Sequence, residues 1–256
     1  MRDYMRKIRS AFNRRDMLRL GAATIGVIIP GSRSVLGQRL GPAISAKPKD
    51  DLTLRERSVT NLKQIGLAMH SYVDAHGHFP PAALTDSAGT PLLSWRVAIL
   101  PYLAHFDLFE RFKPDEPWDG PSNWKLLNEM PEVYAPVGCG PTARSDTFYR
   151  GFVGDGAFFE GVHGIKISDI TDGTVNTLMV VEAGETVAWT KPEDLPIECG
   201  SCVPRLGGQF EEGFHALTCD GWVRFLAKEI DADMLRWAIT RNDGEVFLDR
   251  VFRSSR

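Results

Sequence analysis

Between Leu54 and about Ala75, the residues Val59, Leu62, Ile65, Met69, Tyr72 and Val73 recur at three- and four-residue steps. That period places them on one stripe of a long helix, and such a stripe must be buried against another element. Lys63, Gln64 and Asp74 lie off the stripe. Gly77 supplies a helix stop, and Pro80-Pro81 forbid continuation. Shorter helical pieces are predicted next: Trp95 to about Leu103, capped by Ser94; Asp107–Phe112; and one opened by Pro121-Ser122 that runs to Asn128. A polar turn is read at Asp86-Ser87-Ala88-Gly89.

After Tyr134 the texture changes. Thr147–Val153, Ile165–Ile167 and Thr177–Glu182 read as strands, and Phe214–Thr218 with Trp222–Leu226 as a hairpin closed by Cys219-Asp220-Gly221. A last helix spans Asp231–Ile239, followed by the turn Asn242-Asp243-Gly244 and a strand Val246–Leu248. Helices early and antiparallel strands late make the class α+β. The 43% hydrophobic fraction supports one full core, and residues 54–256 are read as a single domain.

The beginning of the chain has a different character. Arg2, Arg6, Lys7, Arg9, Arg14, Arg15 and Arg19 face only Asp3 and Asp16, and an apolar stretch from Ala22 to Pro30 follows. That stretch is well short of the roughly 20 residues a membrane-spanning helix needs. A basic region, a short apolar region and small residues together form a signal-peptide layout. The pair Arg14-Arg15, with Met17-Leu18 after it, is similar to a twin-arginine export signal. Residues 1–37 are therefore expected to be a leader cleaved near Gly37, and residues 38–53, with their Pro, Gly, Lys and Asp, a linker. The net charge of -3 gives no sign of a nucleic-acid partner.

Several longer motifs occur in order: "NLKQIGLAMHSYVDAHGHFPPAA" (Asn61–Ala83), "LLSWRVAILPYL" (Leu92–Leu103), "FKPDEPWDGPSN" (Phe112–Asn123), "ITDGTVNTLMVVEA" (Ile170–Ala183), "WTKPEDLP" (Trp189–Pro196) and "DGWVRFL" (Asp220–Leu226). Over about residues 55–250 the chain resembles the domain of unknown function 1559 family, abundant in planctomycete-type bacteria and also placed under a solute-binding-like heading. The resemblance implies a pilin- or pseudopilin-like subunit, an N-terminal amphipathic helix laid on an antiparallel sheet. It also implies turn motifs at Asp172-Gly173 and Asp220-Gly221. Two departures stand out. A twin-arginine-like leader replaces the family's prepilin segment, which puts fibre assembly in question. In the family's His-x9-Asp-Gly pattern, Phe210 occupies the histidine position.

Candidate sites are read from residue chemistry. Cys139, Cys199, Cys202 and Cys219 fit two disulfides in an exported protein; a zinc site, a Cys199–Cys202 redox pair or free thiols are the alternatives. His70, His76 and His78 read as helix-end residues, with zinc ligation as the alternative. Asp115, Glu116 and Asp119 sit beside Trp118 and Trp124, a loop suited to recognition, to a sugar or to calcium. Asp119 is expected to stabilise the next helix start, and Trp118 to fill a groove against the sheet. No cofactor is required by the sequence; zinc and calcium are the compatible ones. No nucleophile elbow, zinc-protease motif or phosphate loop occurs in it, so a non-enzymatic role is expected. The expectation is an extracytoplasmic structural or interaction protein of the cell envelope, recognising partners through this loop and an exposed sheet edge. Its partners would be envelope or secretion-related proteins, sister paralogues among them, with membrane contact only through an uncleaved leader. A solute-binding module, for carbohydrate in particular, is the alternative, and a thiol-redox or metal-binding protein the third.

Overall fold

The computed structural model describes residues 47–137, 145–197 and 204–246, with side chains from Leu52 onward. The expected leader, its Arg14-Arg15 pair, most of the linker and the bulk of the final strand lie outside the described residues.

Helix α1 spans Lys47–His76. Leu62, Ile65, Met69 and Tyr72 of the stripe are buried, and Val59 and Val73 are half-buried. The helix starts earlier than expected, so the end of the expected 38–53 linker, from Lys47 on, is helical. Pro48 is tolerated there because the first-turn N–H it lacks would have no partner within the helix. At the other end Gly77 takes φ +79° and its N–H donates to Val73 O at 2.7 Å, closing the helix.

A small hairpin follows, β1 (Ala83–Thr85) against β2 (Pro91–Ser94). Its turn is held by Asp86, whose Oδ1 accepts the Ala88 and Thr90 N–H groups, each at 2.8 Å. Ser94 caps α2 (Trp95–Ala98), accepting Arg96 N–H at 3.3 Å. The expected helix to Leu103 changes to a 3₁₀ turn at Leu100–Leu103, because Pro101 has no N–H to continue the α pattern. Helix α3 (Phe106–Arg111) and 3₁₀ segments at Asn123–Glu129 and Glu132–Tyr134 complete this part.

The main sheet has four strands in the order β3-β5-β7-β8, all neighbours antiparallel: β3 (Asp146–Arg150), β5 (Leu178–Ala188), β7 (Gly213–Thr218) and β8 (Val223–Ala227). A short parallel pair, β4 (Phe152–Val153) with β6 (Leu195–Pro196), lies apart from it. The strand expected at Ile165–Ile167 is absent. Ile167–Asp169 is a 3₁₀ turn instead, because the Asp169 carboxylate accepts Lys166 N–H at 2.8 Å and curls the chain.

The sheet has two apolar faces, set by alternation in β7 and by a bulge between Leu178 and Val180 that breaks the alternation in β5. Met179, Val180 and Leu217 join the core under α1, while Leu178, Val181, Phe214 and Ala216 join a second core with Leu235, Ala238 and Ile239 of α4 (Ala232–Ile239). The fold is thus α+β, with α1 on one face of an antiparallel sheet and α4 on the other. The helix crosses the β7–β8 turn closely: a Cβ on Gly66 would lie 3.1 Å from Leu217 Cδ1 and 3.7 Å from Gly221 Cα. Polar groups pin the same helix. Buried Ser58 bonds the Glu182 carboxylate and meets Tyr149 OH at 2.9 Å, and His70 Nε2 meets Cys219 O at 2.9 Å.

Candidate recognition surface

The loop between α3 and the 3₁₀ segment at Asn123 is built around one amide. Asn123 is fully buried. Its Oδ1 accepts Lys113 N–H at 2.8 Å, and its Nδ2 donates to Lys113 O at 2.9 Å and Glu116 O at 2.8 Å. A short side chain with both donors and an acceptor can satisfy several loop peptide groups at once, which a loop cannot do for itself. Glu116 closes the other side, its carboxylate accepting the N–H groups of Ser122 and Asn123. The Ser122 N–H bond holds the Glu116 carboxyl below its ordinary range.

Here the structure corrects one expectation. Glu116, not Asp119, stabilises the start of the Asn123 segment, because it is Glu116 whose carboxylate reaches the free N–H groups. Trp118 donates its backbone N–H to Leu92 O of β2 at 2.9 Å, and its half-buried side chain packs against the main core.

The pinned loop sets Trp118 and Trp124 side by side, ring centroids 6.2 Å apart and planes inclined by 50°. Trp118 is half-buried, whereas Trp124 is 56% exposed. Asp115 and Asp119 are exposed beside them. Lys191 brings its Nζ to 5.7 Å from the Trp118 ring centroid, a cation over an aromatic face. It also pairs with Glu193, whose carboxyl is held low by that hydrogen bond.

Beneath this surface the segment Trp189–Asp194 anchors to the core. Arg96 and Asp194 form an ion pair at 3.1 Å with side chains 0% and 1% exposed. Asp194 Oδ1 also accepts Trp95 Nε1–H at 3.2 Å and Gly151 N–H at 2.9 Å; Arg96 Nε donates to Tyr149 O at 2.9 Å. Burial pulls the Arg96 guanidinium down from its usual range, and Asp194 opposes the pull. Lys191, Glu193 and Asp194 all lie in the quoted motif "WTKPEDLP". That motif was the available signal for their role, but nothing in its spacing points to Trp118 or Arg96.

Other candidates resolve differently. Cys219 is a buried free thiol, pushed well up by burial, so it does not take part in the expected pair of disulfides. Cys139, Cys199 and Cys202 lie outside the described residues. His70, His76 and His78 turn to separate partners: Cys219 O, Tyr102 OH at 3.0 Å and Phe79 O at 2.7 Å. Among the described residues no group of three His, Cys, Asp or Glu side chains is placed to hold a metal. Ser58, Glu182 and His215 meet, yet both Ser58 Oγ and His215 Nδ1 face the Glu182 carboxylate, and all three are buried. The hydroxyl is bonded to the carboxylate and not to the imidazole, so the three do not line up as a serine–histidine–carboxylate relay. Phe210 packs against the His215 ring, centroids 5.1 Å apart.

The aspartate–glycine motifs are turns with long reach. Asp220 Oδ1 accepts Trp222 N–H at 3.1 Å and Gly221 takes φ +85°, closing the β7–β8 hairpin. The Asp172 carboxylate, next to Gly173, accepts Asp243 N–H at 2.8 Å and Gly244 N–H at 3.0 Å, tying a distant turn to its own. Among the described residues strand β8 is an edge of the sheet; Trp222, just before it, and Phe225, within it, are 66% and 39% exposed. No described helix is long and apolar enough to cross a membrane.

Compared with known proteins, residues 55–146 match the model of a family described as a protein of unknown function (DUF1559). The match takes in α1 from Arg55 on, the β1–β2 hairpin and the tryptophan loop, and stops at Asp146. No curated protein and no solved structure matches the chain.

Proposed function

Residues 55–146 belong to the family of unknown function DUF1559, and from that premise we propose that the chain is an exported, non-enzymatic recognition protein of the cell envelope. In this reading a pilin-related core of helix on sheet is the scaffold, and the Trp118–Trp124 face is the contact surface. The observation that carries it is the pairing of two tryptophans, one 56% exposed, on a loop fixed by the buried Asn123 amide. Large rigid aromatics that lose little entropy on binding are the usual anchors of recognition. The β8 edge, with Trp222 and Phe225, offers a second contact by strand addition.

The test is co-sedimentation of the purified, exported chain with insoluble envelope material. The wild type is expected to sediment and Trp124→Ala to stay in solution; equal sedimentation of the two removes the loop as the contact. Export is tested separately. Arg14→Lys together with Arg15→Lys should hold the protein in the cytosol, and secretion of that variant at the wild-type level refutes the leader.

A further inference from the structure

The chemistry around the two tryptophans narrows what they hold. A protein partner of ordinary size covers about 800 Å² per side, and the centre of such an interface is depleted of charge. Here the loop residues around the rings are charged and exposed: Lys113, Asp115, Asp119 and Lys125. Lys191, over the Trp118 face, and Glu193, paired with it, add an ammonium and a carboxylate, their side chains 40% and 45% exposed. A phosphate-rich ligand would meet Asp115, Asp119 and Glu193. A sugar ring matches both features of the surface. Its C–H face lies on an indole, and its hydroxyls bond to carboxylate and ammonium groups that stay wet. The loop needs no ordering on binding, because Asn123 and Glu116 have already fixed its backbone.

We propose that the Trp118–Trp124 face is a carbohydrate subsite that takes a neutral polysaccharide, with Trp124 as the stacking platform and Asp119, Lys191 and Glu193 as hydroxyl partners. This rests on reading the loop as the recognition face, and specifies its ligand.

Native-gel retardation of the purified, exported chain in soluble β-glucan, xylan, mannan and dextran tests it. At least one polysaccharide should retard the wild type. Trp124→Ala should weaken that binding by about tenfold or more, Asp119→Asn should weaken it less, and Leu67→Ala, an exposed apolar residue on α1, should leave it unchanged. Circular dichroism checks each variant; if Trp124→Ala is unfolded, Lys191→Ala and Asp119→Asn decide. The proposal is overturned if none of the four polysaccharides retards the wild type, or if folded loop variants bind as the wild type does. Envelope sedimentation that depends on Trp124 but is abolished by protease treatment of the envelope would overturn the sugar and leave the recognition face standing. Sedimentation independent of Trp124 would remove both.

Discussion

Trp95 and Trp189 are fully buried, while Trp118 and Trp124 reach the surface, although each of the four has a polar residue next to it in the sequence. The difference lies in what the polar neighbours do. At the buried junction they serve the indoles and the core: Trp95 Nε1–H goes to Asp194, Trp189 Nε1–H to Leu127 O at 3.0 Å, and Arg96 neutralises Asp194. In the loop they serve the backbone. Asn123 and Glu116 satisfy peptide groups, and the rings are left to face outward. Polar side chains can therefore seal a tryptophan in or hold one out, depending on which hydrogen-bonding groups they satisfy.

This contrast breaks most visibly at Asp194. Asp194→Ala leaves Arg96 charged and buried without its partner, and should cost about 3–5 kcal/mol of stability in chemical denaturation. A loss under about 1 kcal/mol would mean that the pair is not the junction's anchor. Asn123→Ala should cost less, about 1–3 kcal/mol, and should loosen only the loop: acrylamide quenching of tryptophan fluorescence rises while unfolding stays cooperative. The mildest lever is acid. Glu116 is held below its ordinary 4.5 by the Ser122 N–H bond, so its hold on the loop is present above that value and fades as pH falls through the lowered range. Quenching should therefore rise with acid in the wild type and follow a flatter course in Glu116→Gln; matching profiles would show that Glu116 does not pin the rings.

Helix α1 and the β7–β8 hairpin were legible because their signals are local: an apolar stripe with a glycine stop, and an aspartate–glycine turn between alternating runs. The β1–β2 hairpin was not, since strands of three and four residues are too short to show a period. Ile165–Ile167 was misread because alternation over three residues cannot be told from a turn that Asp169 curls. Of the candidate site, the nearness of Trp118 and Trp124 follows from their short loop. Lys191 and Asp194 do not, because their partners lie far along the chain: Arg96 and Asp194 are 98 positions apart. Only the folded sheet and its flanking segments bring such pairs together.

The close passage of α1 over the β7–β8 turn leaves residue 66 no room to spare. A single methyl there would press on the end of a leucine sealed in the core, which would have to yield by a few tenths of an ångström. The links of His70 to the Cys219 carbonyl and of Ser58 to Glu182, on either side of that point, keep the rod seated where the gap is this narrow. The rod fits there because a hydrogen atom stands in for a side chain.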